Sequence, residues 1–327
     1  MIRIYLLLSL ILISLVSLGQ EEPKFKPHGS PIIRVFANYH SDFENVAAFQ
    51  ITRGYLGYKY SINEKYSMKV IYDVGNPKDG GKLEHTGYVK IAQLQYKYKN
   101  LQWRVGIIPT KQFKYQEHWW GYRYILKSYQ DEYKMNASAD IGASAEYKIF
   151  DKLRVEAIVQ NGEGYKKIQG DATFRGGVGL TFEPMENLRL RIYYDNSTKP
   201  DAQLQSIATY IGYDFKKKVS IGAEYNMQLD YKMTKGHDLG GASAYLTYFL
   251  NDKFQFFGRL DYLSSNTYSG DSNPWNYNKD GNYFIVGGQA KLAKGVKVSL
   301  NYRGFQSANT NIDYSNMIFL SLEYRLK

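Results

Sequence analysis

Apolar residues in this chain recur at every second position, segment after segment, while no stretch beyond the first nineteen residues is apolar enough to cross a bilayer as a helix. In "NLRLRIYYDN" (187–196), Leu188, Leu190, Ile192 and Tyr194 share one parity, and Arg189, Arg191 and Tyr193 share the other. Side chains alternate along a β-strand, so this segment has one oily face and one charged face. A soluble sandwich or propeller would bury the oily face in a core, whereas a membrane barrel would turn it to lipid.

The same alternation predicts strands near 31–40, 47–62, 66–76, 86–99, 101–108, 138–149, 153–162, 172–183, 188–196, 203–215, 218–230, 239–250, 254–265, 281–293, 296–307 and 315–327. They number about sixteen and have the length a tilted strand needs to span a bilayer. Connections alternate between tight ("NEK", "KN", "FDK", "PMEN", "KK", "NDK", "AKG") and long and polar, such as "GNPKDGGKLEH" at 75–85 and "NTYSGDSNPWNYNKDG" at 266–281. The 32 tyrosines separate the two folds. On the oily parity, Tyr72, Tyr194, Tyr225, Tyr262 and Tyr302 fall at the loop ends, and Tyr58, Tyr60, Tyr98, Tyr147, Phe182, Tyr213, Tyr248 and Tyr324 at the turn ends. Two aromatic belts bounding an aliphatic band match two membrane interfaces. The expected fold is all-β: a transmembrane antiparallel barrel of about sixteen strands with short periplasmic turns and long extracellular loops.

Residues 1–19, "MIRIYLLLSLILISLVSLG", read as a cleaved signal peptide. A short segment at 20–30 and a single barrel domain at 31–327 follow, with no plug domain between them. The chain has no cysteine, which excludes a disulfide framework and lipidation through cysteine. These features point to the bacterial outer membrane, with the bilayer and lipopolysaccharide as surroundings. The closing strand "FLSLEYRLK" keeps the alternation and is available to pair with "PIIRVFANY".

A barrel this wide admits water. The inward parity carries Arg34, Arg53, Lys69, Arg104, Arg154, Arg175, Arg189, Arg191, Arg259, Lys297 and Arg303, against Asp73, Glu156, Glu224, Asp261 and Glu323 as the clearest acids. An excess of cations favours small anionic solutes, although pairing with neighbouring carboxylates explains such arginines equally well. Lys90 falls on the oily parity, which implies either a bulge in its strand or a place at the interface. The basic charge is spread along strand faces and does not indicate nucleic acid.

Residues 109–137, "PTKQFKYQEHWWGYRYILKSYQDEYKMNA", form the third long connection, and loops of that length are usually functional. Their aromatics can bury against a wall while charges stay wet, so the loop is expected to fold inward as a constriction bearing Lys111, Lys114, Glu117, Trp120, Arg123, Lys127 and Asp131. "EHWWGYRYILKSYQD" followed by "SADIGASAEYK" is similar to segments of porin-like outer-membrane proteins of Bacteroidetes. The architecture as a whole resembles general bacterial porins, particularly the phosphate-selective type. The resemblance implies an inward third loop and a homotrimer, and the lack of a plug domain ahead of the first strand favours passive diffusion. The terminal "YRLK" departs from the terminal aromatic common in such barrels.

His28, His40, His85, His118 and His237 lack metal-ligand spacing, and no HExxH or GxSxG element is present. Neither enzyme nor cofactor is expected. Asp271, Asn273 and Asp280 are oxygen donors suited to calcium but are also ordinary turn residues. The rival readings are a non-conducting barrel serving as an adhesin or partner-binding component and, more remotely, a barrel-embedded hydrolase.

Overall fold

The computed structural model describes residues 25–75 and 85–326; the signal segment and nearly all of the connection at 75–85 lie outside them. Sixteen strands follow one another: β1 (His28–Ser41), β2 (Ala47–Ser61), β3 (Tyr66–Gly75), β4 (Thr86–Tyr98), β5 (Leu101–Pro109), β6 (Ala139–Phe150), β7 (Leu153–Gln160), β8 (Arg175–Met185), β9 (Leu188–Lys199), β10 (Ala202–Phe215), β11 (Val219–Leu229), β12 (Leu239–Phe249), β13 (Phe254–Ser265), β14 (Gly281–Ala293), β15 (Val296–Ser307) and β16 (Ser315–Arg325). Each pairs antiparallel with its sequence neighbours, and β1 closes on β16 with Arg34 opposite Arg325, so the sheet is a closed barrel. Closure satisfies every strand edge, the condition for strands to stand in lipid.

Parity sorts the side chains as the alternation requires. Val178, Ile192, Leu260 and Leu300 point outward and are 52–60% exposed, while Asp73, Asp195, Asp261 and Glu323 point inward and are 0–3% exposed. Tyr58, Tyr72, Tyr98, Tyr147, Tyr225, Tyr248, Tyr262 and Tyr324 stand on the outer surface at the two ends of the aliphatic band. The tight turns rest on local chemistry. Asn63 Oδ1 accepts the amides of Lys65 and Tyr66, and Asn251 Oδ1 accepts those of Lys253 and Phe254. An Asn side chain thereby substitutes for a backbone acceptor and sets the register of the hairpin.

Lys90 is the extra residue of a β-bulge. Ile71 pairs with Ile91 and Tyr72 with Val89, leaving Lys90 between them. A bulge lets two successive side chains share a face. The Lys90 ammonium therefore turns inward, 3.3 Å from Asp73, so the interface alternative is not the one adopted.

The third long loop carries two short helices that the alternation did not suggest, α1 (Lys114–Trp120) and α2 (Tyr129–Glu132). Neither has a side-chain cap. They are held by packing, with Phe113, Trp120 and Tyr129 at most 1% exposed.

The candidate constriction

The loop's position is prepared by the wall. Glu146 on β6 and Glu156 on β7 stand directly opposite each other in register. Like charges so placed repel. Lys111 of the loop bridges them, with Nζ 2.6 Å from Glu146 and 3.1 Å from Glu156. Arg191 on β9 also pairs with Glu156 and donates to the Lys111 carbonyl at 2.7 Å. Arg175 on β8 donates to Asp195 (2.8 Å), Ser206 (2.9 Å), Gln112 (3.0 Å) and the Met135 carbonyl (3.4 Å), clamping both ends of the loop.

The middle of the loop reaches the far wall. Trp120, Tyr122, Tyr124 and Ile125 pack with Tyr210, Tyr245, Phe257, Ile285 and Phe36. Gln255 donates to the Tyr122 hydroxyl at 2.8 Å, Tyr124 donates to Gln289 at 2.9 Å, Tyr129 donates to the Tyr262 carbonyl at 2.9 Å, and Arg259 donates to the Lys127 carbonyl at 2.6 Å. Burial pushes the phenols of Tyr122, Tyr124 and Tyr129 well above their ordinary pKa.

The hydrogen bonds and ion pairs from this loop to the strands run mainly to the arc β6–β14. The other arc, β15–β16–β1–β5, is reached by Tyr124, which packs on Phe36 and lies beneath Lys297. Inward on that second arc, by register with one another, are Lys297, Arg303, Arg325, Arg34, Arg53, Lys59, Lys69, Lys90, Lys97 and Arg104, against Glu323 and Asp73 alone. Glu323 is shared by Arg34 (2.6 Å) and Lys297 (3.9 Å), and Asp73 by Arg53 and Lys90 (3.3 Å each). Lys69 and Arg104 have no carboxylate within ion-pairing distance among the described residues; Arg104 donates to Gln95 at 3.0 Å.

The sequence reading of the arginines as meeting channel water needs correction at four positions. Arg175, Arg191, Arg259 and Arg303 are inward, as parity requires, yet only 4–8% exposed. The first three lie beneath the loop: Arg259 is held by Asp261 (2.6 Å) and stacked on Trp120 (5.0 Å). Arg303 lies flat on Phe319 at 3.5 Å. Arg189 is paired with Asp214 (2.6 Å) under the ring of Trp119, and Arg154 with Glu183 (2.5 Å). Parity alone also points to Lys59, Lys97, Arg325, Glu146 and Asp195, which the sequence reading passed over; Lys90 requires the bulge.

Within the loop, Lys114 and Arg123 hold Glu117 at 2.7 and 3.1 Å, and Arg123 also holds Asp131 at 2.9 Å. Burial alone would raise the Glu117 carboxyl; the two cations outweigh it and hold the pKa at about 2. Trp120 is a wall contact rather than a lining group, whereas Lys111 both holds the wall and borders the cavity beneath the loop. Below α1 a cavity of about 350 Å³ is bounded by Arg104, Lys114, Tyr115, His118, Arg154 and Glu183. Asp280 serves its own loop, accepting from Ser265 and Asn276, and no group of metal-ligating side chains stands together among the described residues.

A family model described as "Putative beta-barrel porin-2, OmpL-like" matches residues 127–320, more than half of the chain. No curated protein matches. Solved structures share the fold. Salmonella typhi OmpF, in complex with daunomycin, has a TM-score of 0.70 at 12% identity, covering 91% of this chain and 97% of that one. The trimer form of Vibrio cholerae OmpT gives 0.65 at 13%, covering 92% and 100%. The outer-membrane channel DcaP of Acinetobacter baumannii gives 0.62 at 10%, covering 94% and 100%.

Proposed function

The chain belongs to the OmpL-like beta-barrel porin-2 family and is an outer-membrane porin; from that premise we propose that it favours small anions, phosphate among them, and passes them between the third loop and the arc β15–β16–β1–β5. The observation that supports this is the imbalance on that arc, ten cations to two carboxylates, both of them already shared. Fixed charge of one sign in a narrow, low-dielectric passage raises the local concentration of counter-ions and lowers their barrier. The covered arc is nearly balanced, because its arginines are neutralised by partners and used to hold the loop.

The test is the reversal potential of single channels in planar bilayers under a salt gradient. Anion preference should fall when Lys69 and Arg104 are both changed to Ala. Neither has a carboxylate within ion-pairing distance among the described residues, so the loss should be larger than for Arg34→Ala, whose partner Glu323 is left behind. A barrel that folds but never conducts, or conducts with cation preference, would overturn the reading. A homotrimer belongs to the same proposal on the analogy of the trimer form of V. cholerae OmpT; cross-linking in native membranes, stopping at a single chain, would remove it.

A further inference from the structure

The seven tight turns of the barrel, at 62–65, 99–100, 151–152, 186–187, 216–218, 250–253 and 294–295, carry eight lysines and four carboxylates. All eight lysines are exposed. Across the membrane the polarity inverts. The described connections at the loop end, leaving aside the inward third loop, hold five lysines and ten carboxylates. Charge repulsion within the turn face would favour fewer lysines there, so the excess calls for a partner.

Two details say where that partner sits. Lys65 and Lys99 bring their ammonium groups over the same ring, Tyr98, at 4.5 and 5.3 Å, and Lys253 lies over Phe254 at 5.3 Å. Tyr98 and Phe254 are outward residues of the turn-side belt, more than 40% exposed. These cations therefore stand outside the barrel, at the depth where a belt aromatic meets lipid headgroups. The second detail is backbone conformation. Lys99, Lys216 and Lys217 adopt φ of 48–59°, a left-handed region in which Asn and Gly are far more comfortable. Lysine is thus kept at turn positions for which it is conformationally poor, which makes its charge the property being used.

We propose that the turn face is a docking surface for the phosphate headgroups of anionic phospholipids in the leaflet the turns reach. Lys65 and Lys99 over Tyr98 form one headgroup seat, and Lys216 and Lys217 extend the cationic rim. This surface is distinct from the cationic arc inside the passage, because the seat at Tyr98 lies on the outside of the barrel.

The full chain would be purified from mixed phosphatidylcholine and phosphatidylglycerol nanodiscs and its retained lipid counted by native mass spectrometry. Lys216→Asn with Lys217→Gly supplies the residue pair this turn prefers, and Lys65→Gln with Lys99→Asn empties the seat at Tyr98 without removing the ring. The expected result is several-fold retention of phosphatidylglycerol over phosphatidylcholine by the native chain, brought near parity in the four-substitution variant. The variant's thermal midpoint in pure phosphatidylcholine should be unchanged or higher. Equal retention of both lipids by the native chain would overturn the proposal. So would a preference that survives the substitutions, or one that Lys166→Gln and Lys235→Gln at the loop end abolish as effectively. Binding to isolated cell-wall polymer without lipid preference would also overturn it and assign the lysines to that polymer.

Discussion

At the scale of single residues, the fate of a charge in this barrel is decided by what covers it. Glu117 and Arg123 are loop residues, and each is useful only while the other is charged: Arg123 sits between Glu117 and Asp131 at 3.1 and 2.9 Å. Because the folded pKa of Glu117, about 2, lies below the ordinary carboxylate value of about 4.3, its contribution to loop order is fully present above that ordinary value. It is lost as pH falls toward the folded pKa. The part of channel noise and mean conductance that depends on Glu117 should therefore be constant from neutral pH down to about 4.3 and change progressively below it. In Glu117→Gln the loop should already be loosened at neutral pH, and most of that acid-dependent change should disappear. Recording open-channel current against pH for both proteins decides this: an acid response identical in the variant would exclude Glu117 as its source.

At the scale of elements, the strands were legible and the helices of the third loop were not. Alternation between oily and polar parity places fourteen of the sixteen observed strand starts within a residue of their expected positions, and β1 and β8 extend or retreat by only three residues. Period-two burial is a property each strand carries in its own sequence. The helices α1 and α2 carry no such mark: they are short, uncapped and stabilised by wall residues distant in sequence. Parity likewise reports which face Arg175 and Arg34 share but not that one is sealed beneath a loop while the other is partly open. Gly241 on β12 shows how the wall is shaped for the loop. It adopts φ of 151°, and a Cβ there would strike the Tyr262 carbonyl and the Tyr129 hydroxyl that donates to it. Gly241→Val should dislodge Tyr129 and α2, costing on the order of 1–3 kcal/mol as overpacking does, and should raise conductance while leaving the strand signal in circular dichroism intact. A variant with native conductance and native unfolding midpoint would show that the close approach is dispensable.

At the scale of the whole molecule, the fixed charges form an axis. The turn face is basic, the described loop face is acidic, and the inner arc β15–β16–β1–β5 is cationic along its length. A pore with opposite charge at its two mouths admits cations most easily through the acidic end and anions through the basic end. When the loop-side compartment is positive, the field drives both kinds of ion inward through the mouth that attracts them, so carriers accumulate and current rises. Reversing the voltage depletes them. The effect depends on the reach of the fixed charge, about 10 Å at 0.1 M salt and 3 Å at 1 M. Channels inserted in one orientation should therefore rectify at 0.1 M or below, carrying more current with the loop side positive, and become nearly ohmic at 1 M. Neutralising the turn lysines should weaken rectification more than it weakens anion preference, because the first depends on the difference between the mouths and the second on the arc inside. Rectification of the opposite sense, or rectification that persists unchanged at high salt, would mean that the asymmetry of current comes from the shape of the third loop rather than from the charge on the two faces.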